Sequence, residues 1–544
     1  MKSIFIIICL ALVQFSSFGQ TSTELAANYQ LASRFSPKKL EKMIFSTSVD
    51  PHWLKNSDRF WYTYETTNGK NWYIVDPAKG QKRLMFDNEK LAAQLTAIVK
   101  DPMDAQHLMI DSLRFVRDEN WIQFEVKSTE EIIKKDTATK KGATPARERK
   151  VYYFEYNLNS GQLVELGELK KPKRNPRWAA IAPDGQTIVF VKNYNLFWMD
   201  RSNYEKALLH EEDSTIVEHK ITSDGMEYFS YGTEGFLGGT GENNVDKEKN
   251  KNKRKPAFIF WAPDSKHFAM VRTDARKVNE LWVINSISDP RPTLETYKYW
   301  MPGEKESPLS NIYLFTNATK TYRELDIKQF RDQDITIWSA RPPLNTRDDD
   351  WRPLVWLGNN NNFYFNRTSR DLKRIDLCSV DINSGNVSVL IPERLNTYIE
   401  TRRPGLVNNG SELIHWSERD GWAHLYLYDG QGKLKNQITS GSYHVEDIVG
   451  VDDKKRVVYF IANGREANED PYYTHLYRVN LDGTGLRLLN TGNFDHSTSL
   501  NDSRSYFVST SSRVNSVPQS ALYNVEGRKI MDLEKADFSS LMSA

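Results

Sequence analysis

From about residue 59 onward the chain is written in short runs of Val, Ile, Tyr, Phe and Trp, separated by Asp-Gly, Asn-Gly and Ser-Gly pairs. Runs of this kind predict β-strands, and the dipeptides between them predict tight hairpins. Long stretches with a 3.6-residue period are almost absent. One unit recurs: a turn, an apolar strand, a second strand containing Leu-Tyr or a close variant, then another hairpin. Ala182 to Val191 leads to Asn195-Leu-Phe-Trp198, Asn408 to Trp416 leads to His424-Leu-Tyr-Leu-Tyr428, and Asp452 to Ile461 leads to His475-Leu-Tyr-Arg-Val479. Asn501 to Val508 opens one more unit. The last three begin about 40 to 50 residues apart, the spacing of four-stranded propeller blades. A closed ring protects sheet edges that an open solenoid would expose, so the pattern predicts an all-β propeller.

Two segments break the rhythm. Residues 134–150 and 238–256 are polar, rich in Lys or Gly and nearly devoid of apolar side chains, and read as mobile insertions between strands. Ahead of the first strand, Leu25, Tyr29, Leu31, Phe35, Leu40 and Met43 fall at loosely helical spacing, the one place where a helix is expected. The expected layout is therefore a signal at 1–20, a helical segment at 21–44, a propeller at 45–538 and a short tail at 539–544.

The N-terminus supports the first of these assignments. Lys2, the apolar run Ile4 to Val13 and the polar stretch Gln14 to Gln20 have the layout of a secretory signal, with cleavage near Gly19 and Gln20. This predicts a secreted or periplasmic protein. No later run is long and apolar enough to span a bilayer. At 544 residues the chain exceeds one compact core, which fits a repeat architecture. A net charge of +2 supplies no global field for nucleic acid or an anionic membrane. The Lys-rich run within 238–256 has no interleaved aromatics, which argues against a nucleic-acid patch. Cys9 lies in the signal without a lipobox, so only Cys378 remains in the mature chain and no intrachain disulfide is possible. Cys378, within Ile375 to Val380, is expected to be a buried strand residue.

Catalytic signatures are scarce. The G-x-S-x-G elbow of α/β-hydrolases does not occur, and no His stands in H-E-x-x-H or H-x-H spacing. His210-Glu-Glu-Asp213 lacks a second His, and Gly235 to Gly241 has no following Lys-Ser or Lys-Thr. Asp348-Asp-Asp350 beside Trp351 reads as a solvated turn. No catalytic residue, metal or organic cofactor is assigned.

Longer strings carry a resemblance. Phe260-Trp-Ala-Pro-Asp-Ser265, Asp274-Ala-Arg-Lys-Val278, Leu281-Trp-Val-Ile284 and the run from Ser288 to Glu304 resemble the propeller of dipeptidyl-peptidase IV-like serine peptidases. Trp416 to Tyr428 is similar to a later-blade signature of the same family. The resemblance implies an eight-bladed propeller that caps a C-terminal α/β-hydrolase domain and admits peptides to an enclosed site. The Ser, Asp and His of that family's triad belong to the hydrolase, so the expected role is non-catalytic substrate gating, with a peptide or a separately encoded hydrolase domain as partner and a homodimer as a further expectation. An apolar stripe of Leu25, Tyr29, Leu31 and Phe35 is expected to face the hydrolase side. The family also holds the substrate's free amine with two adjacent glutamates. The matching region here offers Glu227 and Glu234, which are separated. Two other readings remain open: a free-standing propeller that binds a peptide, glycan or protein, and a propeller with its own channel carboxylates.

Overall fold

The computed structural model describes residues 28–133, 147–167, 175–232, 249–342 and 352–544. Eight four-stranded antiparallel sheets follow one another along the chain, at residues 52–84, 110–166, 180–220, 260–324, 334–394, 405–437, 444–488 and 495–535. These are blades 1 to 8 of a β-propeller. Each is a meander whose strands pair in chain order, except blade 4. The first strands of blades 6, 7 and 8 start at Gly405, His444 and Asp495, the spacing that the repeats announced.

Packing on both faces explains why the strands read as continuous apolar runs rather than alternating ones. In Thr187–Lys192 the first five residues are all buried. Val189 and Leu196 of blade 3 pack with Trp261, Phe268 and Phe315 of blade 4, and Ile312 and Leu314 of blade 4 pack with Phe363 and Cys378 of blade 5. The ring closes in the same way: Val508, Leu522 and Leu533 of blade 8 share a core with Phe60, Tyr62 and Val75 of blade 1. Fully burying each such side chain stabilises by about 1.5–3 kcal/mol. Among the described residues, no strand is exchanged between blades 8 and 1. Cys378 is buried in strand Arg374–Asp381, where burial pushes its thiol up to about 12.

Blade 4 carries the main irregularity. Its second strand, His267–Asp274, pairs directly with its third, Leu309–Thr316, and the residues between them form a separate two-stranded arm, Glu280–Asn285 and Thr293–Lys298. Trp282 and Ile284 stand on one face of this arm at 68% and 69% exposure, and Ile287 at its tip reaches 92%.

Helices occur in more places than the periodicity suggested. The N-terminal segment forms two short helices, Tyr29–Arg34 and Pro37–Leu40, with Pro37 opening the second. A further helix, Asn88–Val99, wedges Leu91, Leu95 and Val99 into the core shared by blades 1 and 2. Arg201–Leu209 packs on blade 3, and Ser539–Ser543 ends the chain. Regular structure reaches into the ends of both expected insertions. Arg147 to Lys150 already belong to strand Arg147–Asn157, and the Lys255 and Val191 backbones bond reciprocally at 2.8 and 2.9 Å. Charged partners stand at both ends: Arg147 meets Glu131 at 3.6 Å and Arg254 meets Glu218 at 2.7 Å. Residues 134–146 and 238–248 lie outside the described residues, as do Leu25 and Asp348 to Asp350.

Candidate functional site

The connection from blade 3 to blade 4 contains Asp224-Gly-Met-Glu-Tyr-Phe-Ser-Tyr231. Met226 and Phe229 bond to each other through both backbone N–H groups, at 3.2 and 3.0 Å, which leaves Glu227 and Tyr228 as the two corners of a tight turn. Tyr228 takes φ +59°, a left-handed conformation unusual for a bulky residue. Glu227 is exposed at the first corner. Gly225 lets the turn approach blade 3: a Cβ there would lie 2.2 Å from the Tyr194 carbonyl oxygen. Glu234 lies outside the described residues, so only Glu227 can be placed.

The turn is held from below by Arg272 of strand His267–Asp274, which is almost wholly buried. Its Nη1 donates to Asp224 Oδ2 at 2.7 Å and to the Tyr231 hydroxyl at 2.8 Å. Its Nη2 donates to the carbonyls of Asp224 and Phe229, at 3.1 and 3.0 Å. The guanidinium also stacks on the rings of Phe229 and Tyr231, 3.2 and 3.8 Å from their centroids. Burial works to raise the Asp224 carboxyl, but hydrogen bonds from Arg272 and Tyr231 outweigh it and hold the group below its ordinary range. Arg276 adds a second clamp, pairing with Asp274 at 2.6 Å and lying 4.5 Å from the Phe229 centroid. A rigidly held turn of this kind can offer one carboxylate to a cation without that carboxylate being consumed in a local ion pair. Sequence reasoning missed Arg272; its signal is a charged residue directly after the apolar run Phe268 to Val271, which demands a partner.

A sizeable cleft lies elsewhere. About 760 Å³ opens between blades 1 and 2, lined by His52, Trp61, Lys70, Arg114, Arg117 and Glu119 among others, and Glu227 is not part of it. Glu119 ties the two blades together, accepting from the Asn56 N–H at 2.7 Å, the Ser57 hydroxyl at 2.7 Å and Arg59 at 3.0 Å. The wall beside it is braced by Arg117, which pairs with Glu155 at 2.8 Å and stacks over Trp121.

One cluster contains the residue types of a nucleophilic triad. Ser417 Oγ donates to Glu393, and His415 Nε2 bonds to the same carboxylate at 2.6 Å. The order is wrong for catalysis, because a general base must touch the nucleophile and here the acid stands between them. Burial opposes the charge on Glu393, yet His415, Ser417 and Arg419 hold its carboxyl down to about 2. It is a clasp between blades 5 and 6. Among the described residues, no three His, Cys, Asp or Glu side chains are grouped to hold a metal, and no helix is long and apolar enough to cross a membrane.

Tyr29, Leu31 and Phe35 on the N-terminal helix are all exposed, Tyr29 at 80%. Arg34 on the same helix donates to the Ala544 carbonyl at 3.4 Å, so the two ends of the described chain meet.

Comparison with known proteins agrees with this geometry. The profile of the dipeptidyl peptidase IV (DPP IV) N-terminal region matches residues 147–518. Proteins named dipeptidyl-aminopeptidase B are similar: that of Blastomyces gilchristii is 24% identical over 399 residues, covering 70% of this chain and 38% of the relative. That of Aspergillus oryzae is 25% identical over 394 residues, covering 66% and 38%. The crystal structure of Porphyromonas gingivalis dipeptidyl peptidase 4 superposes with a TM-score of 0.53 at 17% identity, over 95% of this chain and 62% of that one. A dipeptidyl aminopeptidase IV structure from Bacteroides ovatus gives a TM-score of 0.53 at 16% identity, over 90% and 61%. The chain thus spans less than two thirds of the length of these relatives. With more than half of its residues inside the match, the chain belongs to the dipeptidyl peptidase IV N-terminal region family.

Proposed function

We propose that this chain is the substrate-recognising and gating propeller of an exported dipeptidyl-peptidase IV-like serine peptidase. The observation that carries the reading is the turn locked by Arg272, which presents Glu227 beside blade 4 in the segment that the family resemblance matches to its amine-holding glutamates. Cleavage is assigned to an α/β-hydrolase domain outside these 544 residues, since no G-x-S-x-G occurs among them. The exposed Tyr29, Leu31 and Phe35 supply an apolar surface for that domain. Residues 1–20 act as the export signal. The arm face of Trp282 and Ile284, paired across to Leu294, supports a homodimer.

The deciding assay offers an Ala-Pro chromogenic dipeptide to the purified chain, with and without a hydrolase partner. No turnover by the chain alone, and turnover on adding the partner that falls in Glu227→Gln, is the expected result. Turnover by the chain alone that a serine-directed inhibitor abolishes overturns it. The cleft between blades 1 and 2, which Glu227 does not line, favours a second reading as a free-standing binding propeller. Peptide or glycan affinity that responds to Arg114 or Arg117 substitutions, but not to Glu227→Gln, selects that reading.

A further inference from the structure

We propose that Lys298, the last residue of the exposed arm, is a positioning residue for Glu227, so that the arm and the amine-binding turn move as one piece. The inference rests on Glu227 being the amine anchor. Lys298 ends strand Thr293–Lys298 directly opposite Glu280. Its ammonium lies 3.5 Å from the Glu280 carboxylate and 4.8 Å from the centroid of the Tyr228 ring, and only 12% of its side chain is exposed. It therefore touches the second corner of the turn whose first corner is Glu227.

Tyr228 needs such support. A left-handed conformation at a bulky residue persists only where its surroundings hold it. The backbone is held by blade 4, since the Tyr228 carbonyl accepts from the Ala275 N–H at 2.9 Å. The ring is held by the arm, through Lys298. Tyr228 and Glu227 are the two adjacent corners of one turn, so the ring's position is passed through their shared backbone to the group that would meet the substrate amine.

The root of the arm is itself fastened. Tyr299 N–H donates to the Asn279 carbonyl at 3.0 Å, Asn279 Nδ2 donates to Glu304 at 2.8 Å, and Arg370 of blade 5 stacks 3.1 Å from the Trp300 centroid. Lys298 lies within this braced root, and a change in the arm reaches Tyr228 through it. If Lys298 served only to balance Glu280, its removal would lower stability without distinguishing peptides that carry a free amine from peptides that do not.

Titration calorimetry with Ala-Pro and with N-acetyl-Ala-Pro makes that distinction. The wild-type chain prefers the free amine, and Glu227→Gln abolishes the preference. Lys298→Met reduces the preference about tenfold while leaving affinity for the acetylated peptide unchanged. Lys298→Arg keeps most of it, and Tyr228→Leu loses it. If Glu227→Gln has no effect, the amine-anchor reading fails. If Glu227→Gln acts but Lys298→Met and Tyr228→Leu keep the wild-type preference, this proposal alone is overturned. Should Lys298→Met not fold, the contrast between Lys298→Arg and Tyr228→Leu decides, and a preference retained in Tyr228→Leu overturns the proposal. No binding of either peptide at millimolar concentration overturns both readings.

Discussion

Tyr62 of blade 1 donates its hydroxyl to Glu534 of blade 8 at 2.7 Å, across the point where the ring closes. Lys82 Nζ donates to the same carboxylate and to the neighbouring Leu533 carbonyl, both at 2.6 Å. Burial, and then Glu534, raises the Tyr62 phenol, so it stays a donor throughout the ordinary pH range. Because no strand is exchanged across this seam among the described residues, these side chains, together with the bonds from Asn501 and Ser503 to Asp58, fasten two blades that also meet through apolar packing. Glu534→Leu leaves a buried hydroxyl without its acceptor and a largely covered ammonium with only the Leu533 carbonyl. The expected cost is about 1–3 kcal/mol, read as a lower urea midpoint, with Glu534→Gln losing less because an amide oxygen still accepts.

Arg272 makes a sharper test of the turn. Arg272→Leu removes four hydrogen bonds and two aromatic stacks at once. Asp224 keeps about half its side-chain surface in water, which softens the loss. A destabilisation of about 1–3 kcal/mol is expected from the carbonyls and hydroxyl left unpaired. Proteolysis under native conditions should cut within 224–231 in the variant and not in the wild type. Arg272→Lys should fare little better, since a point charge cannot reproduce the planar fork that serves both the Asp224 carboxylate and the Phe229 carbonyl.

Arg272 also shows where sequence reading stops. The blades were legible because their cause is local: β-branched and aromatic runs between Gly-bearing turns need only a few residues to be recognised. Burial of Cys378 and exposure of Tyr29 follow from equally short contexts. Arg272 and Asp224 are 48 residues apart, and nothing near either names the other. The helix Asn88–Val99 was hidden differently. Its buried face is Leu91, Leu95 and Val99 at a clean four-residue spacing, with Ala92 beside them, but so short an apolar stripe is hard to recognise in a β-rich context. Charged residues look alike in a sequence whether solvated or paired, so the pairings of Arg147 and Arg254 were not legible there.

Acid should weaken the ring in two separable windows. His496 in blade 8 is buried, and burial, followed by the adjacent His475, lowers it from 6.5 to about 4. The unfolded chain therefore takes up a proton that the folded chain refuses, and stability falls as pH drops from 6.5 to about 4. At about 1.4 kcal/mol per unit, the loss is on the order of 3 kcal/mol. Glu393 is held at about 2 against an ordinary 4.5, so its contribution is complete above 4.5 and is lost as pH falls toward 2. Denaturation midpoints across pH should fall through both windows in the wild type. His496→Gln should flatten the upper window alone, and Glu393→Gln the lower.

The arm offers the last prediction. Trp282 and Ile284 point to one face of strand Glu280–Asn285, and Leu294 lies directly across from Ile284, so the three side chains form one continuous apolar surface. On a monomer that surface is solvated at a cost of roughly 25 cal/mol for each Å². A second copy of the same face removes the cost symmetrically, which is the commonest form of homodimer. Sedimentation velocity should show a dimer that dissociates on dilution, and Trp282→Glu should convert it to a monomer. Blade packing lies outside the arm, so the melting profile of the variant should keep the cooperativity of the wild type. A wild-type chain that sediments as a monomer at every concentration removes the homodimer and leaves the arm to another partner.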